Sequence, residues 1–150
     1  VPRLLVLICA LLASAAFAKP WNGIEPGVSS KDAVLKKFSD PSKVTTVSGR
    51  EVLTYAGFKA IKGTVQAQFR IDPASGTVDR IDVFPEPIID QEAIEKSYGL
   101  ECAAGESDGC YVRRTQEKKP PYFLYSKLGL AIFFKEDKTV QSFAFLPLKK

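Results

Sequence analysis

Histidine and methionine are missing from all 150 residues of this chain. Without histidine, the usual general base at neutral pH is lost, and with it the Ser–His and Cys–His nucleophile pairs. Cysteine is scarce, at three positions, Cys9, Cys102 and Cys110. A Cys-x7-Cys pair with no histidine or further cysteine beside it is a poor zinc site. Long apolar runs are missing too: Leu4–Leu12 is too short to span a bilayer. No glycine-rich phosphate loop follows a strand pattern. Charge of one sign does not dominate, because 21 Lys and Arg face 17 Asp and Glu for a net +4. A balance this mild does not call for nucleic acid.

What is present begins with an export signal over residues 1–18. Arg3 is the one charge before Lys19, an apolar run follows, and Ala16-Phe17-Ala18 is a small-x-small cleavage site. Val1 stands where an initiator would stand, which reads as a non-standard start codon and a bacterial source. Ile8 precedes Cys9 where lipid attachment needs a small residue, so Cys9 is not read as an anchor. The expected product is a periplasmic or secreted protein starting at Lys19. In an oxidising compartment, Cys102 and Cys110 read as a disulfide closing the polar loop Ala103–Gly109. A loop this small is stabilised by about 2–3 kcal/mol at most in the chain-entropy account.

Periodicity places the elements. Ser29-Ser30-Lys31-Asp32 is a helix start in which a serine hydroxyl caps a free N–H. Val34, Leu35 and Phe38 share one face of the helix that follows, and Asp40-Pro41 stops it. Arg50–Ala56, Gly63–Ile71 and Thr77–Phe84 read as strands, with Asp72–Gly76 as the turn joining the last two. Asp90 caps a second helix, Ile89 and Ile94 form a staple across its start, and Gly99 suits its end. Tyr111–Gln116, Tyr122–Ser126, Gly129–Lys135 and Thr139–Leu146 read as further strands. The last two are apolar on both faces. Leu130, Ile132 and Phe134 alternate with Ala131 and Phe133, and Phe143 and Phe145 alternate with Ala144 and Leu146. They are therefore either central in the sheet or carry an exposed apolar face.

The pattern also returns on itself. DAVLKKFS at Asp32–Ser39 is echoed by EAIEKSYG at Glu92–Gly99, and Val78, Ile81, Val83, Phe84 and Pro85 by Val140, Phe143, Phe145, Leu146 and Pro147. Self-similarity at this period reads as one supersecondary unit used twice. The expected fold class is α+β, with two tandem helix-plus-antiparallel-strand repeats, residues 19–86 and 87–150, joined near Pro85-Glu86-Pro87.

Gly27-Val28-Ser29 leading into Ala33–Phe38 and Asp40-Pro41 resembles the opening of the SmpA/OmlA domain. Tyr55, Gly63, Phe69 and Val78, and again Tyr125, Gly129, Phe133 and Val140, are similar to the strand pattern that follows it. That family includes the BamE-like lipoproteins of outer-membrane assembly, and the β-lactamase inhibitor proteins share its fold in tandem. The resemblance implies helices packed on one face of a sheet and the other face free to bind protein.

Two clusters could carry function. Asp79, Asp82, Glu86 and Asp90 could supply paired acids for glycoside hydrolysis, but strand edges and helix caps account for all four. Arg113, Arg114, Lys118 and Lys119 lie between Tyr111 and Tyr122, a mixture that suits phosphate or lipid headgroups. The expected surface is Tyr111, Arg113, Arg114, Tyr122 and Tyr125, presented to an envelope or outer-membrane protein or to an anionic membrane surface. No cofactor, metal, nucleic acid or enzymatic activity is expected.

Overall fold

Strands of five to eight residues, set between turn residues, are the dominant regular structure of the chain. A computed structural model describes residues 18–149. The expected export signal, apart from Ala18, lies outside the described residues. The elements in chain order are helix α1 (Lys31–Phe38), strands β1 (Lys43–Val47), β2 (Arg50–Ala56), β3 (Thr64–Ile71) and β4 (Val78–Pro85), helix α2 (Gln91–Tyr98), and strands β5 (Val112–Gln116), β6 (Lys119–Tyr125), β7 (Leu130–Phe134) and β8 (Val140–Phe145). Every named strand pairing is antiparallel, and all eight strands join one sheet in the order β1-β2-β3-β4-β8-β7-β6-β5. The middle seam is β4 on β8, where Ile81 faces Phe145, Asp82 faces Ala144 and Val83 faces Phe143.

This architecture corrects the expected fold class. The molecule is a mostly-sheet fold, one eight-stranded antiparallel sheet with two short helices, and not two helix-plus-strand repeats. Each helix is eight residues, little more than two turns. Helices of that length cannot form a layer of their own and hold shape by burying one side chain each, Val34 and Ile94. The likeness between Asp32–Ser39 and Glu92–Gly99 marks these two helix starts and stops. It does not set the architecture, which the continuous strand pairing decides.

Local chemistry explains both helices. Of the two serines before α1, Ser30 is the cap, its Oγ accepting from the Ala33 N–H at 3.2 Å, while Ser29 Oγ accepts from the Glu25 N–H. Asp90 caps α2 through the Ala93 N–H at 2.8 Å. Both helices end in the same unusual backbone. Ser39 has φ 63° and ψ −160°, and Gly99 has φ 110° and ψ 162°. That region is close to glycine-only. At Gly99 space also forbids a side chain, because a Cβ would sit 1.8 Å from the Gly109 carbonyl oxygen.

One face of the sheet is buried against the helices. Leu53, Tyr55, Ala67, Phe69, Ile81, Val83, Ile132 and Phe123 line it, with Val34 and Ile94 over them. Aromatic rings gather in two places. Trp21, Phe38, Tyr55 and Phe69 pack together beneath α1, which makes Trp21 a cover over the core edge. Tyr98, Tyr111, Phe123 and Tyr125 pack near α2. Cys102 and Cys110 are disulfide-bonded, with Cα atoms 5.0 Å apart, and tie the loop between α2 and β5. No helix among the described residues is long and apolar enough to cross a membrane.

Candidate partner-binding groove on the open face

Among the described residues no α-helix covers the other face of the sheet. Strand alternation and register place its side chains. On the β2–β3–β4 side it carries Thr54, Gln66, Gln68, Arg70, Arg80 and Asp82, and on the β8–β7–β6–β5 side Ser142, Ala144, Ala131, Phe133, Leu124, Tyr122 and Arg114. The first region satisfies itself. Asp79 bridges Arg50 and Arg70, the latter at 2.6 Å, and Arg80 forks onto Asp82 at 2.8–3.0 Å.

The second region is a groove of about 960 Å³. The half-buried Leu124, Phe133 and Leu146 line its apolar part over a floor of buried Ala131 and Ala144, and Tyr122 stacks on Phe133 with ring centroids 4.8 Å apart. Four cations, Arg80, Arg114, Lys127 and Lys149, border it against two acids, Glu25 and Glu106. Arg114 pairs with Glu106 at 3.1 Å. A smaller hollow of about 560 Å³ continues the open face past Arg80 and Phe133 and is bordered by Lys118, Lys119 and Lys135 against Asp82 and Glu136. The open face of β5–β8 is thus apolar in the middle and positive around it.

The residues expected to form one surface divide three ways. Arg114 and Tyr122 lie in the groove. Arg113 points to the opposite face, its guanidinium 5.2 Å from the Phe123 ring and 3.4 Å from Glu101. Tyr111 and Tyr125 are core residues, 1 % and 2 % exposed, which corrects their assignment to a docking surface. Tyr111 stacks on Phe123 at 3.6 Å and donates its hydroxyl to Glu95 Oε1 at 2.7 Å, and Tyr125 donates to the Gly99 carbonyl at 2.8 Å. Burial first, and the Glu95 hydrogen bond second, raise the Tyr111 phenol well above its ordinary range. Burial does the same for Tyr125, with smaller contributions from Tyr111, Glu95 and Tyr98.

The residues missed as a site are Leu124, Ala131, Phe133, Ala144 and Leu146. For all but Leu124, which lies on β6, the signal was the two-faced apolarity of the last two strand patterns: β7 and β8 are central, and their second face still opens onto the groove.

The acidic cluster comes apart in space. Asp79 and Asp82 are bound to arginines and Asp90 caps α2. Asp72 accepts from Ser75 Oγ and the Ala74 N–H, a turn of its own chain, and those bonds hold its carboxyl below the usual range. Among the described residues no three Cys, Asp or Glu side chains converge where a metal could sit.

The chain matches no family model and no curated protein. Among solved structures it is similar to a DUF4309 family protein (YjgB) from Bacillus subtilis, with a TM-score of 0.61 and 15 % identity over 85 % of this chain and 86 % of that one. At that identity the likeness concerns the fold alone. It replaces the SmpA/OmlA resemblance, which no comparison supports. The short motifs behind that resemblance (a glycine, a Val-Leu helix, a proline stop) are what any capped helix before an antiparallel strand requires.

Proposed function

We propose that this chain is an exported, non-catalytic binding module of the bacterial envelope, whose open sheet face takes an apolar, acid-flanked segment of another protein. The observation that carries this reading is the groove over β5–β8. Apolar area in the centre supplies most of the affinity of such interfaces, and a charged rim supplies orientation and partner choice. The absence of histidine and the engagement of Asp79, Asp82 and Asp90 in ion pairs and a cap favour display over chemistry. The Cys102–Cys110 disulfide agrees with an oxidising compartment, as the export signal at residues 1–18 requires.

Site-specific photocrosslinking in the host tests it. A benzophenone side chain replacing Tyr122 should capture one protein, and the same group replacing Gln68, on the polar half of the same face, should not. Equal capture from both positions, or none from Tyr122, would sink the proposal.

A second reading has its own observation, the excess of cations around the groove. An anionic lipid headgroup or glycan would be held through Arg114, Lys127 and Lys149. Sedimentation with vesicles containing anionic lipid, across a salt series, separates the two. Headgroup binding should fall steeply with salt, whereas an apolar protein interface should persist.

A further inference from the structure

The two edges of the sheet are treated in opposite ways. At β5, residues Leu100–Cys102 lie alongside the strand start, with the Cys102 N–H bonded to the Tyr111 carbonyl and the Tyr111 N–H to that of Leu100. A register shift follows Arg114, and Arg113 and Arg114 carry charge along the edge. These are the usual devices against edge-to-edge pairing. The β1 edge has almost none of them. Lys43–Val47 (KVTTV) pairs with β2 without a register shift, contains no proline, carries one charge, and exposes Val44 and Val47 at 53 % and 56 %.

Turn geometry says which backbone groups are free there. Ser48 and Gly49 both have positive φ, 51° and 75°, between the paired residues Val47 and Arg50. Two such residues make a type I′ hairpin, in which the flanking pair exchanges both hydrogen bonds and the pattern then alternates. Val47, Thr45 and Lys43 therefore bond to β2, and the N–H and C=O groups of Val44 and Thr46 point away from the sheet. Among the described residues no turn, loop or cap backbone hydrogen bond reaches them.

We propose that β1 pairs antiparallel with β1 of a second copy, so that two sheets join across a two-fold axis at Thr45. The strand is self-complementary in that register. Thr45 faces Thr45 of the second copy as a non-hydrogen-bonded pair. Val44 and Thr46 face each other on both sides of the axis and exchange the backbone bonds that each leaves free. Lys43 falls opposite Val47, which holds the two lysines about 13 Å apart along the strand, beyond a Debye length at physiological salt. A five-residue strand pair is a small interface, so the dimer is weak and dependent on concentration. It uses the edge farthest from the groove and does not depend on the groove's occupant.

Sedimentation equilibrium on the purified protein is expected to show reversible monomer–dimer exchange. Thr45→Lys, which sets two cations against each other only in a self-paired strand, should raise the dissociation constant at least tenfold and leave the melting temperature unchanged at concentrations where the wild type is monomeric. In a Cys9→Ser background, Thr45→Cys should form disulfide-linked dimers under mild oxidation much faster than Thr46→Cys. A protein that stays monomeric across the series, a dimer indifferent to Thr45→Lys, or equal crosslinking at both positions would overturn the proposal.

Discussion

The two halves of the open face differ although they belong to one sheet and look the same way. Over β2, β3 and β4 the face is polar, and its charges are matched: Asp79 holds Arg50 and Arg70, and Asp82 holds Arg80. Over β5–β8 the same face presents the half-buried Leu124 and Phe133 over a floor of buried Ala131 and Ala144, behind a rim of cations. A surface whose polar groups are paired within the chain gains little from a partner, because any contact must first displace those bonds or water. A surface that leaves apolar area in a groove gains from being covered. The proposed binding therefore belongs to the half that leaves apolar area uncovered, and the other half is self-sufficient.

The largest expected effect sharpens that contrast at the helix ends. Gly99→Ala would drive a Cβ into the Gly109 carbonyl at a φ of 110°, and should cost more than about 3 kcal/mol in a denaturant melt. An unchanged melt would mean that the β5–β8 half is looser than described. Next is Asp79→Asn, which strips two arginines of their shared carboxylate. Their side chains are only about two-thirds covered, so the loss should be about 1–2 kcal/mol. Leu124→Gln, in the groove, should leave stability nearly unaltered. Equal losses from the two changes would erase the distinction between the halves.

Smaller still is Ser39→Gly, at the end of α1. Ser39 occupies the conformation that Gly99 occupies at the end of α2, without the crowding and with its strain. Glycine there should add about 1 kcal/mol in thermal or chemical melts. A loss instead would show that the serine side chain supports the turn.

The alkaline response is the finest of these tests. Tyr111 and Tyr125, both in the β5–β8 half, are held neutral by burial. Their contribution is present in full below about pH 10, the ordinary phenol value, and is lost as pH rises above it, since the unfolded chain releases those protons first. Phenolate absorbance of the folded protein should lag behind that of the protein in denaturant. The lag should shrink in Tyr111→Phe and Tyr125→Phe. Superimposed curves would place both rings in water.

Most strands could be read from the sequence because alternation was strong. Arg50–Ala56 is a strand over those residues, and the others shift by a few positions at their ends. Lys43–Val47 was missed for a physical reason. It lies at a sheet edge with neither face buried, so Val and Thr alternate with nothing that marks an inside. The sheet order was not legible, since the pairing of β4 with β8 depends on contacts far apart in the chain. The site was half legible. Arg113 and Arg114 are neighbours in a strand and must point to opposite faces, and Tyr122 and Tyr125, three apart, must do so too. Periodicity alone therefore divides the expected surface. Which of its faces is open depends on where α1 and α2 pack.

Whether the β5–β8 groove binds a partner is decided by capture from a detergent-solubilised envelope fraction of the host, using the wild-type chain, Leu124→Asp in the groove and Gln68→Asp on the polar half. One protein is expected to be retained by the wild type and by Gln68→Asp and lost with Leu124→Asp. A protein retained equally by all three, or lost equally with both variants, would contradict the assignment of binding to the β5–β8 groove.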